Sequence, residues 1–293
     1  WKRHYQSPGT SLMVESSIPD YTVYAIGAPI VLMMIAIEAL ISSKNNTHLY
    51  KRNDSMGTIG LIVGNVIVNI LTMGSILGFY LFLYQFRLFE INTIATPWVV
   101  VLTLLMIDFI YYWYHRFSHR VRFFWAVHMN HHSSEEMNFL VSLRQAWFNP
   151  LFRVPFFFVM PLIGFDPITT AVVGAVVTLW AVIEHTQIIG KLGILEWIFV
   201  TPSAHRVHHG YSPKYLDKNY GNLLIIWDRI FGTYVEEDEP VLFGLSNNVN
   251  TFNPLKITLF SWVSYIQDFK ESQSITDKIL SFWGTPEWSP RTQ

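Results

Sequence analysis

Eight of the eleven histidines in this chain fall in three short clusters with the spacing of a helix face. The first cluster has the pattern H-x3-H, and the second and third share the pattern H-x2-H-H. Residues three or four apart lie on one side of an α-helix. Each cluster therefore predicts a helix that presents its imidazoles to one side, and the fold must bring three such helices together. The clustered residues are His115, His119, His128, His131, His132, His205, His208 and His209.

The number of imidazoles favours a metal site over isolated core histidines. A single histidine among apolar residues is most often a hydrogen-bonded core residue. Burying eight of them without a shared partner would leave many donors and acceptors unpaired, which costs free energy. Neutral imidazole is a common metal ligand, and one zinc ion needs only about four ligands. With His185 as a ninth ligand, the supply suits two metal ions better than one.

Two carboxylates accompany the histidines and are the candidate catalytic residues. Asp108 lies seven residues before His115, two turns back on the same helix face. An unpaired carboxylate in an apolar span is costly, so we expect Asp108 to accept a hydrogen bond from a ligand histidine. Direct ligation and an unrelated helix-packing hydrogen bond are the alternatives. Glu184 directly precedes His185, and we expect both at the end of a span that meets the clusters.

The composition indicates a membrane protein. Hydrophobic residues make up 51% of the chain and charged residues only 14%, and the mean hydropathy is +0.28, which is high for a soluble globular protein. The net charge of −1 argues against nucleic-acid binding, which normally needs a basic face. The absence of cysteine excludes disulfides, iron–sulfur clusters and thiolate-ligated haem.

The apolar runs predict an all-α integral membrane protein with about four to five transmembrane or re-entrant helices. A span needs roughly 20 apolar residues, and three segments meet this length: 21–41, 57–84 and 97–114. The segment 148–164 contains three prolines, which predicts a kinked span or a re-entrant helix. The segment 169–189 predicts a span that returns to the histidine side with Glu184 and His185 in its last turns.

Two features inside these spans carry further expectations. Glu38 lies near the end of the first span, and we expect it to reach the membrane interface rather than take part in the site. The second span contains four glycines, which predict close helix contact. These glycines are Gly60, Gly64, Gly74 and Gly78.

The distribution of basic residues predicts the orientation. Lys44, Lys51 and Arg52 lie in the loop on the histidine side, whereas Arg87 on the opposite side is offset by Glu90. The positive-inside rule places the histidines in the cytosol. The host membrane would be the endoplasmic reticulum in a eukaryote or the inner membrane in a bacterium.

The remaining organisation is a tail, one domain and a cap. We predict a polar N-terminal tail over residues 1–20. We predict a single membrane-embedded domain over 21–293, with its histidine motifs at 108–132, 184–187 and 205–209. Residues 191–293 predict a cytosolic, helical, histidine-rich cap that completes a dimetal site. Apolar residues at helical spacing over 254–269, and the aromatic residues beyond 270, indicate interfacial helices, with a core helix of the cap as the alternative.

The motifs HRFSH, HMNHH and HRVHH match the pattern of the membrane-bound fatty acid hydroxylase and sterol desaturase superfamily. Longer stretches resemble its alkylglycerol monooxygenase branch, and the resemblance covers Pro19 to Lys256. These stretches are WAVHMNHHSSEEMNFLVSLRQ, IEHTQIIGKLGILEWIFVTPSAHRVHHG, DKNYGNLLIIWDRIFGTY and FGLSNNVNTFNPLK.

The resemblance implies two iron ions held by the nine histidines, with O2 as co-substrate and tetrahydrobiopterin as electron source. It implies hydroxylation of the carbon next to the ether oxygen of an alkylglycerol, which releases a fatty aldehyde and a glycerol derivative. The residues themselves identify no pterin pocket, so the pterin rests on the resemblance alone.

Three other functions compete with this interpretation. The first is a sterol, sphingolipid or fatty-acid hydroxylase or desaturase, fed by a separate cytochrome or ferredoxin. The second is a metal transporter, which usually places ligands near the middle of the bilayer, whereas these follow the ends of spans. The third is a zinc hydrolase, but the sequence contains no H-E-x-x-H motif.

Overall fold

The computed structural model describes residues 20–290, with side chains from Ala25 onward, and this part of the chain is built from helices. The β-structure in these described residues consists of isolated bridges at Phe199–Leu224 and Gly210–Phe243. The predicted all-α fold is therefore confirmed; the predicted tail lies almost wholly outside the described residues. The helices are α1 (Asp20–Lys44), α2 (Arg52–Tyr84), α3 (Thr96–Arg120), α4 (Arg122–His132), α5 (Asn149–Arg153), α6 (Val159–Ile163), α7 (Pro167–Ile183), α8 (Pro202–His209), α9 (Ile226–Ile230), α10 (Pro254–Glu271) and α11 (Ile275–Trp283).

Three helices are long and apolar enough to cross a membrane, at the predicted places: Ala25–Lys44, Arg52–Tyr84 and Thr96–Arg120. Helix α3 begins with Pro97 in its first turn, where the missing amide hydrogen costs nothing. It continues past the predicted end at residue 114 and stops where Val121 turns extended. The first histidine cluster therefore lies on the span itself.

The proline-rich segment folds as a broken helix. Helices α5 and α6 are separated by a 3-10 turn over Val154–Phe158. Proline has no amide hydrogen and clashes with the preceding turn, so Pro155 and Pro161 keep each piece short. The turn before α7 is fixed by Asp166, whose side chain accepts from the Thr169 amide (2.8 Å), as an N-cap should.

Helix α7 ends at Ile183, so the prediction that Glu184 and His185 lie in its last turns is wrong. Both residues lie in the turn that follows. The physical cause is a tertiary contact: the Arg206 guanidinium donates to the carbonyl oxygens of Thr186 (2.8 Å) and Ile189 (2.7 Å). These bonds divert the chain from the helix path.

The ends of the spans group as predicted. At the histidine end, the α1–α2 loop contacts the segment after α4, because Lys51 pairs with Glu136 (2.5 Å) and Asn138 donates to the Leu49 carbonyl (2.7 Å). At the other end, the α2–α3 loop contacts the end of α6, where the Leu88 amide donates to the Leu162 carbonyl (2.8 Å).

The glycine prediction for α2 is half right. A Cβ at Gly60 would lie 2.6 Å from Pro254 Cγ, and one at Gly64 would lie 2.1 Å from Trp147 Nε1, so both glycines permit close packing. Gly74 and Gly78 have nothing within 4 Å, and the prediction for them is wrong. The C-terminal half of α2 does have neighbours, since the Phe158 ring lies 4.8 Å from the Phe79 ring, but they do not contact these two glycines.

Glu38 does not reach the interface, so that expectation is also wrong. Its side chain is 1% exposed and accepts hydrogen bonds from the Tyr50 hydroxyl (2.6 Å), the Phe139 amide (2.8 Å) and the Thr186 hydroxyl. Glu38 thereby ties α1 to the residue after His185. The three hydrogen bonds offset the free energy that it costs to remove the carboxylate from water.

Candidate metal centre

The nine predicted histidines come together at one end of the spans, and all are buried. They form two adjacent groups, and the candidate ligand atoms within each group lie within 4.8 Å of one another. The five-histidine group is His115, His119, His128, His132 and His208. The four-histidine group is His131, His185, His205 and His209.

Helices α4 and α8 each contribute to both groups, which corrects the prediction that each cluster faces one side. Successive helix residues are rotated by about 100°, so His128 and His132 point about 40° apart and enter the five-histidine group. His131 is rotated about 60° and 100° from these two and enters the four-histidine group. Helix α8 repeats the division with the groups exchanged: His205 and His209 enter the four-histidine group.

The Nε2 atoms converge within each group at the spacing of a hydrogen bond, so the tautomer of each ring decides whether a proton or only lone pairs lie between them. In the five-histidine group, the closest Nε2–Nε2 separations are 2.9 Å (His115–His128), 3.1 Å (His128–His132) and 3.2 Å (His132–His208). In the four-histidine group they are 3.0 Å (His131–His185), 3.1 Å (His185–His205) and 3.2 Å (His205–His209).

Backbone carbonyls face the Nδ1 atoms of four of these rings and fix the tautomer of three. The Nδ1 atoms of His115 and His208 face the carbonyl oxygens of Tyr220 (2.8 Å) and Lys218 (3.0 Å). In the four-histidine group, the same atoms of His131 and His185 face the carbonyls of Arg144 (3.3 Å) and Ala181 (2.6 Å). A carbonyl can only accept, so the Nδ1 atoms of His115, His208 and His185 carry the proton and their Nε2 atoms present lone pairs. The Nδ1 atom of His131 also faces the side-chain amide nitrogen of Gln145 (3.4 Å), which is a donor.

Lone pairs directed at one another at about 3 Å repel, and a cation between them removes the repulsion. The Nε2 atom of His119 is also buried without a hydrogen-bond partner among the described residues. The donor set therefore fits a metal ion in each group, since imidazole with its other nitrogen bound to a carbonyl is the usual ligating form.

The histidines outside the spans remain neutral. Burial lowers the pKa of His128, His131 and His132 in α4 well below the ordinary value. Burial likewise lowers the pKa of His205, His208 and His209 in α8. Neutral imidazole is the form that binds metal, so these rings are ready to ligate at physiological pH.

Each group has one histidine whose Nδ1 faces a carboxylate. In the four-histidine group, Glu184 Oε2 lies 3.4 Å from His205 Nδ1, and neither Glu184 oxygen has a hydrogen-bond partner among the described residues. In the five-histidine group, Asp217 Oδ1 lies 3.6 Å from His119 Nδ1. The sequence prediction included Glu184 but missed Asp217, for which the sequence carries no signal beyond a turn-forming DKN run.

Asp108 does not hydrogen-bond a histidine, so its expected partner was wrong. Its carboxylate accepts from the amides of Leu223 (2.8 Å) and Leu224 (3.1 Å) and from Trp227 Nε1 (2.8 Å). These three donors satisfy the buried carboxylate. They also fix the loop before α9 against α3.

Asp228 is a second buried aspartate in this region, and sequence reasoning missed it. It accepts from the amides of Tyr220 and Gly221 (both 2.7 Å) and from the Thr233 hydroxyl (2.7 Å). These bonds position the Tyr220 carbonyl that accepts from His115. The tryptophan–aspartate pair in WDRIFGTY is visible in the sequence, but nothing in its spacing links it to residue 220.

Arg144 performs a comparable task beside the four-histidine group. Its side chain is 1% exposed and donates to the Asn130 carbonyl (3.0 Å), the Ser133 hydroxyl (3.0 and 3.1 Å) and the Thr58 hydroxyl (2.8 Å). These bonds hold the end of α4, while the Arg144 carbonyl faces His131.

Residues 100–233 match the family model for fatty acid hydroxylase. This part of the chain is similar to the fatty acid hydroxylase domain. It contains all nine histidines of both groups, together with Glu184, Asp217 and the two buried aspartates. The assignment confirms the resemblance drawn from the histidine motifs.

Curated proteins extend the similarity to most of the chain. The chain is 35% identical over 286 residues to alkylglycerol monooxygenase of Xenopus tropicalis and 34% identical over 288 residues to that of Homo sapiens, covering 96% of this chain in both cases. It spans only 62% and 63% of the length of these two relatives. It is also 30% identical over 142 residues to ornithine lipid hydroxylase OlsE of Rhizobium tropici, covering 48% of this chain and 43% of that protein. No solved structure gives a significant match.

Proposed function

We propose that this chain forms the catalytic core of a di-iron, O2-dependent membrane monooxygenase that hydroxylates an ether lipid. The observation that carries the proposal is the convergence of nine buried imidazoles into two adjacent groups, each with its candidate ligand atoms within 4.8 Å of one another. The groups lie within the part of the chain that is similar to the fatty acid hydroxylase domain.

The residues that would hold the metal ions are those of the two groups. Bound iron would supply the activation of O2 that C–H hydroxylation requires, and the absence of cysteine excludes thiolate as a ligand and leaves imidazole and carboxylate. The chain's own residues orient the rings through the carbonyls of Tyr220, Lys218, Arg144 and Ala181. Burial of all nine rings excludes bulk water from the reaction.

Similarity over 96% of the chain to alkylglycerol monooxygenases favours an alkylglycerol as the substrate. One oxygen atom of O2 would enter the C–H bond next to the ether oxygen, and the other would leave as water with two electrons and two protons. The hemiacetal formed would break its C–O bond to give a fatty aldehyde and the free glycerol hydroxyl. Tetrahydrobiopterin would deliver the electrons, or a separate electron-donor protein would do so.

A second candidate is a hydroxylase or desaturase of another lipid. The similarity to ornithine lipid hydroxylase favours it, and it would use the same two groups with a cytochrome or ferredoxin as donor. That similarity covers 48% of the chain, against 96% for the alkylglycerol monooxygenases. The ether lipid is therefore the better-supported substrate.

The proposal is tested by incubating purified protein in lipid nanodiscs with ferrous iron, 18O2 and a mixture of alkylglycerols, sterols and ceramides. One arm receives tetrahydrobiopterin and the other a reductase system, and mass spectrometry follows the products. We expect a fatty aldehyde and glycerol from the alkylglycerol, with 18O in the aldehyde when exchange with water is suppressed by trapping. The His131→Ala variant is the control.

If a sterol or ceramide is oxidised and the alkylglycerol is not, the chain is a hydroxylase or desaturase of another lipid and not an ether-lipid monooxygenase. Absence of any O2-dependent product in either arm, with both metal ions bound, would refute the monooxygenase proposal.

We further propose that the histidine end faces the cytosol, in the endoplasmic reticulum of a eukaryote or the inner membrane of a bacterium. The basic residues of the α1–α2 loop support this orientation, and Arg87 at the other end is neutralised by a bidentate pair with Glu90 (2.8 and 3.1 Å). A membrane-impermeant thiol reagent should label Asp166→Cys from outside a sealed bacterial cell, or in a lumen-exposed vesicle of the endoplasmic reticulum, and leave Lys51→Cys unlabelled. The reverse pattern would overturn the orientation.

A further inference from the structure

Part of the cap lies alongside the middle of α3. Trp227 donates to the Asp108 carboxylate, and its ring packs edge-on against Phe109, with the centroids 5.0 Å apart. At the other end of α9, the Phe231 ring lies 5.0 Å from the ring of Trp113. Helix α9 and the residue that follows it therefore run beside α3 from Asp108 to Trp113.

The position of these contacts along α3 fixes their depth. Helix α3 has 25 residues, whereas the hydrocarbon core of a bilayer corresponds to about 20 helical residues. Wherever a window of that length is placed within Thr96–Arg120, residues 108–113 fall inside it. The basic residues Arg116 and Arg120 favour the window nearest Thr96, which leaves Asp108 about 10 Å inside the histidine-side boundary.

The outer surface of this part of the cap is apolar. Ile226 and Ile230 lie on one face of α9 and are 45% and 61% exposed. The Ile225 amide donates to the Ile198 carbonyl (3.1 Å), so the segment before it is a neighbour of α9. In that segment Ile194 is 80% exposed and Trp197 is 68% exposed.

The charged groups of the same segments have partners within the protein, although Arg229 Nε itself has no hydrogen-bond partner among the described residues. The Glu196 carboxylate accepts from the Leu192 amide (2.8 Å) and the Thr201 hydroxyl (2.7 Å). The Arg229 guanidinium lies 4.7 Å from the Trp197 ring and donates to the Glu196 carbonyl (3.0 Å). Polar groups at hydrocarbon depth must find partners inside the protein because lipid offers none.

We propose that Gly193–Ile198 and α9 form a wedge that inserts into the hydrocarbon of the bilayer beside α3, with lipid acyl chains as its partner. Its apolar face is continuous with the lipid-facing side chains of α3, where Leu102 is 41% exposed. The Lys191–Glu236 pair, with side chains 44% and 65% exposed, marks the water boundary. The proposed wedge would lie in the membrane, whereas the sequence analysis expected the cap to lie in the cytosol from residue 191 onward. The wedge does not depend on the proposed function.

The test uses single cysteines in the full chain, which has no native cysteine. Ile194→Cys and Ile230→Cys carry a nitroxide label in liposomes, with Leu102→Cys as the lipid-facing reference and Glu236→Cys as the water-facing reference. Electron paramagnetic resonance measures relaxation of the label by O2, which concentrates in lipid, and by a nickel chelate, which stays in water.

We expect both wedge positions to show the high ratio of O2 to nickel accessibility found at Leu102→Cys. A ratio equal to that at Glu236→Cys would overturn the proposal by placing the segments in water. Protection from both reagents would also overturn it, because it would identify a protein neighbour in place of lipid.

Discussion

The five-histidine and four-histidine groups share α4 and α8 but differ in their third source of histidines, which is α3 for the first group and the turn after α7 for the second, and in their surroundings. Around the five-histidine group, the carbonyls of Tyr220 and Lys218 belong to one loop, and Asp217 reaches solvent through Arg120 (2.7 Å), whose side chain is 57% exposed. Around the four-histidine group, Glu184 is 1% exposed and both of its oxygens lack a hydrogen-bond partner among the described residues. The group with fewer ligands is the one with an uncommitted buried carboxylate.

Because of this difference, we expect the two groups to respond unequally to substitution of their residues. The five-histidine group has one imidazole beyond the roughly four ligands that a metal ion needs, and its outer loop is held at several points. The four-histidine group has no spare imidazole. We therefore expect it to be the more sensitive of the two.

The largest effect should follow removal of one imidazole from α4. His131→Ala leaves three imidazoles in the four-histidine group, whereas His128→Ala leaves four in the other. We expect His131→Ala to lower turnover by more than about 100-fold, above the roughly 10–100-fold usual for outer contacts of a metal site, and His128→Ala to lower it less. Iron content per chain and product formation check both variants. Greater damage from His128→Ala would invert the comparison.

The carboxylates should rank next. Glu184→Gln keeps the shape of the side chain and removes its charge beside His205, so we expect metal affinity to fall roughly 10–100-fold. Asp217→Asn is the matched change beside His119. We expect it to lower metal affinity by an amount near the lower end of this range, because Asp217 also has a partner at the surface. Competition with a chelator measures both affinities. The comparison fails if the two changes have equal effects.

Loss of the Asp228 carboxylate should disturb the five-histidine group alone. Asp228→Asn weakens charged hydrogen bonds to the backbone of Tyr220 and Gly221, and we expect the free energy of unfolding to fall by about 1.5–3 kcal/mol. Asp108→Asn is the control, because its donors lie further from His115, and it should lower stability with less loss of metal. Thermal unfolding with and without chelator separates the two contributions. Metal loss from the four-histidine group would contradict this expectation.

The smallest effect should come from the exposed ion pair. Arg120→Ala removes a largely solvated partner of Asp217, and such pairs contribute at most about 1 kcal/mol. We expect metal affinity to change by no more than this amount and the change to shrink at high salt. A chelator titration at low and high ionic strength measures it. A large, salt-independent loss would show that Asp217 depends on Arg120.

Much of the fold and the convergence of the nine histidines could be predicted because local chemistry determines them. Spans follow from runs of apolar residues, and the set of nine histidines follows from the cost of burying unpaired imidazoles. The division into two groups could not be predicted, because the same spacing in α4 and α8 permits either assignment of His131 and His208. Only the relative rotation of the packed helices decides it.

The outer contacts were harder to predict for a different reason. Asp108, Asp217 and Asp228 act through partners that are distant in sequence or supplied by the backbone, and a backbone amide leaves no trace in the residue types. Glu38 shows the same limit, since two of its three donors, Phe139 and Thr186, come from other parts of the chain. Position along a span was therefore a poor guide to what a buried acid contacts.

Helix α2 joins the cap directly to the lipid. Its 33 residues correspond to a rod about 50 Å long, roughly 20 Å more than the hydrocarbon core. Its N-terminal half packs against Pro254 and Trp147 through Gly60 and Gly64, while Ile70 and Leu71 further along are 70% and 74% exposed. Because one continuous helix contacts both the cap and the lipid, we expect hydrophobic mismatch at the exposed half to act on the cap as well. We therefore expect the thickness of the host membrane to influence how the histidine end is positioned.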